Sequence, residues 1–403
     1  MKISRKTARR TLLISVAVVV IFLVVFVIWA FASYPAEYMK RAIFWGDSDV
    51  NDYLRFPSRI VSASPDPFHF EEGSDEAMVK ALFEQIPFVQ DLDTLLKQTQ
   101  TQAFIVIQND TILYEKYFNG ATRDTIVTSM SVAKSFTSAL IGAAIDDGYI
   151  QSVDDPITDY IPELAERDPA FADITIHDLL RMSSGIKYQR EGFLFEGDDS
   201  KTYYFPDLRT LALTETSIID QPGSYFQYNN FHPLLLGIIL ERATDMSVTA
   251  YLEAKIWQPI GMEFDGSWSL DSEAKGFEKM ESGINGRAID FAKFGRLYLN
   301  SGDWDGTQIL SAEWVAQSTH PDNAPDSEDY YRDWGLSVYL DGYYGYMWEG
   351  LPHGESNYDF FASGHHGQYI YISPYKNLLI VRNGESDGGF RWVTMFREFA
   401  ERL

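Results

Sequence analysis

Cysteine is absent from the 403 residues of the sequence, and histidine occurs only seven times. Without cysteine the chain has no disulfide framework, no cysteine nucleophile and no thiolate metal site. Positive charge is also scarce, because 33 Lys and Arg stand against 58 Asp and Glu and leave a formal net charge of −25. A net charge this negative argues against a general nucleic-acid-binding protein. The sequence contains no repeat of fixed period and no low-complexity tract.

An apolar segment lies near the N-terminus. The first ten residues, MKISRKTARR, carry five positive charges and no acid, and residues 11–32 then run for 22 residues without a charge. At a rise of about 1.5 Å per residue, a helix of this length spans the hydrocarbon core of a bilayer. The basic flank predicts a cytoplasmic N-terminus. The rest of the chain is therefore expected on the periplasmic or extracellular side of the inner (cytoplasmic) membrane.

A cleaved signal peptide is the alternative interpretation of this segment. Ala30-Phe31-Ala32 resembles the small-x-small pattern of a cleavage site, but the apolar run exceeds the usual length of a signal-peptide core. Its length favours an uncleaved, single-pass transmembrane anchor within residues 1–32. Residues 33–80, which are aromatic and irregular, are interpreted as a membrane-proximal extension.

The remaining chain, residues 81–403, is predicted to form one domain of the broad α/β class. Its helices and strands are expected in separate groups along the chain, which is an α+β arrangement. Two β-rich runs around Asn109-Asp110 predict a hairpin, because Asn and Asp tolerate positive φ, and residues 366–384 predict two further strands. Helical patterns fill a region of about residues 150–285, and a helix closes the chain. We therefore expect an antiparallel sheet built from both chain ends and flanked by helices, with an inserted, mostly helical subdomain.

The pattern Ser-x-x-Lys, which can place a nucleophile beside a proton acceptor, occurs at several positions. Only Ser131 begins a long apolar helix, which Gly148 is expected to stop. Residues three apart share a helix face, so Lys134 can reach the Ser131 hydroxyl, and the helix N-terminus favours an oxyanion nearby. An ordinary serine at a helix start is the alternative that this pattern alone leaves open. The four pairs are Ser131/Lys134, Ser184/Lys187, Ser272/Lys275 and Ser373/Lys376.

Two further patterns follow this helix in the chain. Tyr228-Asn229-Asn230 closes a glycine-containing loop before a helix, where a phenol and an amide can point into a cleft. His365-His366-Gly367 enters a β-strand, and the glycine would let a substrate approach the strand backbone closely. Both patterns are common by themselves, so their value lies in the order and spacing of all three.

The ordered set, with first residues 97 and 137 positions apart, resembles the penicillin-recognising, β-lactamase-related serine hydrolases, whose nucleophile lies in a Ser-x-x-Lys sequence. The likeness is strongest to the branch of class C β-lactamases, esterases and 6-aminohexanoate-dimer hydrolases, and it covers about residues 85–403. It extends to the stretches ITIHDLLRMSSGI and GHHGQYIYISP. The resemblance implies a β-lactamase-like fold and a hydrolase that works through an acyl-enzyme.

The resemblance also implies roles for individual residues. Ser131 would be the acylated nucleophile, Lys134 would accept or relay its proton, and Tyr228 would be the second proton carrier. Supporting roles would fall to Asn230, which would bind the substrate or hold Lys134, and to His365, which stands where the family has Lys or His. The backbone N–H groups of Ser131 and Gln368, which follows Gly367, would form the oxyanion hole.

One departure from the family pattern bears on the substrate. β-Lactamases commonly have Lys at the position of His365, where it helps to bind a carboxylate, and His is a weaker, pH-dependent cation. The acidic chain also disfavours anionic substrates. Both features favour an esterase or amidase, although Arg382 on the following strand could supply a compensating charge.

The sequence thus predicts a membrane-anchored serine hydrolase that acts on a small ester or amide without a cofactor. No metal site is predicted, because adjacent residues such as His365 and His366 point to opposite faces of a strand. Two other functions stay open: a D-alanyl peptidase or penicillin-binding protein acting on cell-wall peptides, and a surface receptor that keeps the pocket without turnover. The aromatic run YYGYMWEG (343–350) is interpreted as sheet surface or core. As the alternative it could line the cleft, with Tyr346 and Trp348 on one face if it is a strand.

Overall fold

The computed structural model describes residues 5–73, 75–192, 195–325, 328–331, 341–354 and 357–403. Residues 1–4, part of the basic segment predicted from the sequence, lie outside this part. The chain divides into two compact units, Met1–Ser48 with Gln189–Pro206 and Asp49–Tyr188 with Asp207–Leu403. The boundaries after residues 32 and 80 stay predictions.

Helices and strands both occur along the length of the chain, with helices grouped in its middle, and most elements are short. The α-helices are α1 (Arg5–Ser33), α2 (Ala36–Phe44), α3 (Glu76–Phe83), α4 (Leu92–Gln98), α5 (Ala133–Asp146), α6 (Pro162–Arg167), α7 (Ile176–Leu180), α8 (Asp198–Tyr204), α9 (Leu208–Thr214), α10 (Phe231–Thr244), α11 (Val248–Leu252), α12 (Ala288–Leu299), α13 (Ala312–Thr319), α14 (Glu328–Tyr331) and α15 (Trp392–Arg402). The strands are β1 (Ser58–Val61), β2 (Glu71–Glu72), β3 (Thr101–Gln108), β4 (Thr111–Tyr117), β5 (Val127–Thr128), β6 (Gly266–Ser269), β7 (Ile284–Gly286), β8 (Asp303–Trp304), β9 (Thr307–Gln308), β10 (Tyr343–Tyr344), β11 (Glu349–His353), β12 (Asn357–Gly364), β13 (Gln368–Ser373) and β14 (Leu378–Gly384).

The smaller unit contains α1, α2 and α8. Within α1, Arg9–Ser33 is long and apolar enough to cross a membrane, with a mean hydropathy of 3.3, and a signal sequence would have the same properties. The ring of Phe195 packs at the end of this helix, with its centroid 6.5 Å from Trp29 and 5.4 Å from Tyr34. The Tyr38 hydroxyl is hydrogen-bonded to Ser200 Oγ at 3.1 Å. The segment around α8 is therefore held against α1 and α2.

The larger unit is built on an eight-stranded sheet in the order β10-β11-β12-β13-β14-β3-β4-β2. The predicted hairpin is confirmed as β3 and β4, and both residues of its turn have positive φ, 51° at Asn109 and 59° at Asp110. All neighbours pair antiparallel except β2 with β4, which are parallel. The expectation of a purely antiparallel sheet is therefore wrong at this edge. The chain between β2 and β4 passes through α3, α4 and β3, and a connection of that length permits parallel pairing.

Aromatic side chains hold helices on both faces of this sheet. On one face α3 meets α15, where Phe83 stacks on Phe399 with centroids 4.2 Å apart. On the other face Phe136 of α5 stacks on Phe294 of α12 at 3.6 Å. Helix α5 is buried from Ala133 to Ala144, so tertiary packing fixes its position.

The middle of the chain is not helical throughout. It contains α6 to α11, of which α8 belongs to the smaller unit, and α7 begins with a capping box in which Thr175 and Asp178 bond each other's backbone N–H groups. It also contributes β6 and β7 to a four-stranded sheet in the order β1-β6-β7-β5. In this small sheet β5 leads directly into the turn that carries Ser131.

Candidate active site

A tight turn connects β5 to α5 and carries Ser131. Met130 has a φ of +45°, a left-handed conformation that is costly for a residue with a side chain and is often found at functional sites. The turn is fixed to β7, because Ser129 N donates to Ile284 O at 2.7 Å and Ile284 N donates to Ser129 Oγ at 3.1 Å. Ser131 follows within a short 3₁₀ turn, Met130–Val132, and is only half-buried.

The Lys134 side chain lies directly beside Ser131. Its Nζ donates to Ser131 Oγ at 3.0 Å and to the Glu281 carbonyl oxygen at 2.9 Å. The lysine is 2% exposed, so most of its hydration has been replaced by these two acceptors. The 3₁₀ turn and the first turn of α5 together therefore bring a hydroxyl and an amine into hydrogen-bond contact in a largely dry environment, an arrangement that suits nucleophile activation.

The other three Ser-x-x-Lys pairs have different surroundings. Ser184 is fully buried and its Oγ lies 2.6 Å from His232 Nε2, and burial lowers the pKa of His232 to about 3. The Ser272 hydroxyl accepts a hydrogen bond from the backbone N–H of Lys275. Ser373 is fully buried. Of the four serines, Ser131 has the reactive surroundings.

Ser131 opens into a small pocket with an empty volume of about 210 Å³. Four parts of the chain form its wall: the start of α5, the loop before α10, the residues from β10 to β11, and the end of β12. The lining residues are Ser131, Lys134, Ser135, Tyr228, Tyr344, Met347, Glu349, Phe361, Ala362 and Ser363.

The second sequence pattern reaches this pocket through Tyr228. The Lys134 Nζ lies 4.8 Å from the centroid of the Tyr228 ring, so the tyrosine presents its ring face to the ammonium. Asn229 is fully buried, and its Nδ2 donates to Ile186 O at 3.0 Å. Asn230, half-buried, directly precedes α10 and is not among the residues that line the pocket.

The third pattern lies in the hairpin between β12 and β13, beyond the pocket wall. His365 is exposed, and its ring centroid lies 4.0 Å from that of His366. Gly367 has a φ of +82°, and a β-carbon there would lie 2.1 Å from a guanidinium nitrogen of Arg382. The absence of a side chain at Gly367 thus makes room for Arg382. The pocket itself is lined by β12 and not by His365, Gly367 or Gln368.

Two residues of this region hold the sheet together. Gln368 is 1% exposed, and its Nε2 donates to Gly384 O at 2.6 Å. Arg382 is fully buried and donates to Gly367 O at 2.6 Å and Thr99 O at 3.0 Å. Burial lowers the pKa of Arg382 to about 9. Arg382 therefore does not supply the compensating charge for a substrate that the sequence suggested, because its guanidinium is buried and bonded inside the fold.

The aromatic run 343–350 contributes an unexpected residue, Glu349. Its side chain lines the pocket, and burial raises its pKa to about 7 against the opposing effects of a hydrogen bond from Ser363 and the charge of Lys134. Tyr346 and Trp348, which the sequence suggested for the cleft wall, instead pack in the core, where Trp348 lies 4.4 Å from the Tyr298 ring. A lone acid within an apolar run was the available sequence signal.

Carboxylate and imidazole groups are scattered over the described ranges. No group of three or more Asp, Glu or His residues there lies close enough to hold a metal ion.

Gly364 should be sensitive to substitution because the end of β12 presses against the turn that carries Ser131. A β-carbon at this position would lie 2.5 Å from Ser129 O and 3.1 Å from Met130 Cβ. We expect Gly364→Ala to displace the turn and lower kcat/KM by about 10- to 100-fold, since small misplacements of reacting groups carry such costs. Ester hydrolysis measured beside a thermal unfolding curve tests this. Full activity in a folded variant would contradict it.

The chain is similar to known proteins over most of its length. A family model described as Beta-lactamase matches residues 88–389, about three quarters of the chain. The chain belongs to the beta-lactamase family. Within this family it is 28% identical over 317 residues to the 6-aminohexanoate-dimer hydrolase of Paenarthrobacter ureafaciens, covering 72% of this chain and 74% of that protein. It is 29% identical over 237 residues to esterase EstB of Burkholderia gladioli, covering 53% of this chain and 57% of EstB.

A solved structure supports the same assignment at the level of the fold. The provisionally named 6-aminohexanoate-dimer hydrolase from Bacillus anthracis matches with a TM-score of 0.72 at 24% identity, covering 92% of this chain and 95% of that one. The protein is thus a serine hydrolase of the beta-lactamase family with a beta-lactamase-like α/β fold.

Proposed function

We propose that the protein hydrolyses a small ester or amide through an acyl-enzyme on Ser131. The observation that carries this proposal is the 3.0 Å hydrogen bond between Lys134 Nζ and Ser131 Oγ, two residues that line the pocket. Ser131 Oγ attacks the carbonyl carbon, and its proton passes to the amine form of Lys134. The leaving group departs with a proton, and water then cleaves the acyl-serine ester.

Tyr228 is proposed as the second proton carrier. Its ring contacts Lys134 and it lines the same pocket, which supports a role in passing a proton to the leaving group and later in activating water. The oxyanion would be held by the N–H of Ser131 and, as the resemblance implies, that of Gln368. Gln368 pairs with Gly364, which supports a place near the nucleophile turn. Asn230, His365 and Gly367 keep supporting roles.

The charges around the pocket support a substrate without a carboxylate beside the scissile bond. Lys134 is the cation among the lining residues, and its Nζ already binds Ser131 and Glu281 O. Glu349 adds a carboxyl group to the same wall. The named relatives, an esterase and an amide hydrolase, are compatible with this preference. We also propose that α1 is a single-pass anchor that places the enzyme outside the inner membrane.

A panel of chromogenic substrates tests the proposed function. We expect short acyl esters and anilides to be hydrolysed, and a chromogenic β-lactam to react at least about 100-fold more slowly, because an unpaired substrate carboxylate is costly to bury. The same panel on Ser131→Ala is the control. Preferential release of D-alanine from a D-Ala-D-Ala peptide would instead favour the cell-wall peptidase, which an extracytoplasmic location permits. A single burst without turnover would favour the receptor.

A further inference from the structure

Glu349 occupies an unusual place for an acidic residue. It begins β11, where it pairs with Phe361 of β12, and its side chain lines the pocket that holds Ser131 and Lys134. Carboxylates are costly to bury unless they are paired or hydrogen-bonded. A carboxyl group beside a nucleophile therefore needs a physical explanation.

The groups that face Glu349 come from four elements. Ser363 of β12 donates its hydroxyl to Glu349 Oε1, and Lys134 of α5 supplies the positive charge that acts on the carboxyl. Tyr344 of β10 and Tyr369 of β13 also interact with the charge of Glu349. Burial is the main cause that raises the pKa of each phenol, for Tyr369 to about 12, and the charge of Glu349 adds to it. Both tyrosines stay neutral near pH 7, so among the residues that the structure describes Lys134 is the charged partner of Glu349.

We propose that Glu349 is a positioning residue that acts through Lys134: its carboxylate holds Lys134 in the ammonium form and so sets the pH range in which Ser131 is activated. The inference rests on the proposed function, since it needs Lys134 as the base for Ser131. An ammonium cannot accept the serine proton, whereas it can protonate the amine that leaves an amide. Glu349 thereby shifts the balance between these two forms of Lys134.

The pKa of Glu349 supports this role. Because burial raises it to about 7, the carboxyl is neutral below that pH and negative above it. Above about pH 7 its charge opposes the loss of a proton from Lys134, so activation of Ser131 is delayed to higher pH. Removing the charge should release this restraint.

The test follows the rate at which a fluorophosphonate labels the full-length protein between pH 5 and pH 10. For Glu349→Gln we expect the acid limb of the profile to move to lower pH by about one unit, so that labelling at pH 7 becomes several-fold faster. Glu349→Asp keeps a carboxyl group and should keep the limb nearer its wild-type position. Asp359→Asn is the matched control, because Asp359 is a buried carboxyl on β12 that is bonded to Tyr371 at 2.7 Å and does not line the pocket.

The outcomes separate this inference from the proposed function. An acid limb that stays in place or moves to higher pH in Glu349→Gln would overturn the role of Glu349. So would complete loss of labelling in a variant with a wild-type circular dichroism spectrum, since a residue that acts through the charge of Lys134 should not abolish labelling. Labelling that persists in Ser131→Ala would instead refute the proposed function itself.

Discussion

Ser131→Ala is expected to lower kcat for every ester and amide substrate by at least about 10³-fold, because removal of a serine-hydrolase nucleophile has effects of this size or larger. The fold should be unaffected. Ser131 is half-buried, and Lys134 keeps its second acceptor, the Glu281 carbonyl oxygen. Initial rates with a chromogenic ester, read beside a thermal unfolding curve, measure both effects. The midpoint should change by no more than about 2 °C.

A matched variant shows whether a loss of activity is specific to Ser131. Ser272→Ala removes the serine of another Ser-x-x-Lys pair, whose hydroxyl accepts from the Lys275 backbone N–H. It should retain full activity. Equal losses in the two variants, or a residual rate in Ser131→Ala within tenfold of wild type, would refute the assignment of the nucleophile.

Lys134→Met is expected to lower kcat by about 10³-fold with little change in KM, because the lysine takes part in proton transfer and general acid–base groups contribute 10²–10⁴. Methionine fills a similar volume without the amine. The substitution leaves the Glu281 carbonyl oxygen without the donor that bonds it at 2.9 Å, which costs about 1–3 kcal/mol of stability. Steady-state kinetics and denaturant unfolding measure the two effects separately.

Lys275→Met provides the comparison for this variant. Lys275 is 52% exposed at its side chain and pairs with Asp207 at 2.7 Å, so its loss should change neither kcat nor stability appreciably. If the kcat of Lys134→Met were less than tenfold below that of the wild type, proton transfer by Lys134 would be excluded as a major contribution to the rate. A large rise in KM alone would instead make Lys134 a binding residue.

Local sequence signals predicted the parts of the site that lie on one element. The apolar helix that follows Ser131, Ala133–Asp146, was predictable because apolar spacing and the positive φ of Gly148, two residues beyond its end, act within a few residues. The Asn109-Asp110 hairpin was predictable for the same reason. The contact between Ser131 and Lys134 depends on a single turn of backbone, and the sequence spacing alone was enough to suggest it.

The parts of the site that depend on long-range pairing were not predictable in the same way. Glu349 reaches the pocket because β11 pairs with β12 and the end of β12 meets the Ser129–Met130 turn. Strand register decides which of the residues near 349 and 365 face the pocket, and a shift of one residue would reverse every side chain. The sequence therefore marked His365 and Gly367 but could not show that Phe361, Ala362 and Ser363 line the wall.

Peptide mapping by mass spectrometry after fluorophosphonate labelling identifies the residue that would form the acyl-enzyme. We expect one added phosphonyl group, located on Ser131 in the peptide that contains SMSVAKSF, with stoichiometry approaching one per chain. We also expect that prior incubation with a slowly hydrolysed ester protects the same serine. A label on Ser184, Ser272, Ser373 or any other residue, or no label on an active preparation, would contradict an acyl-enzyme at Ser131.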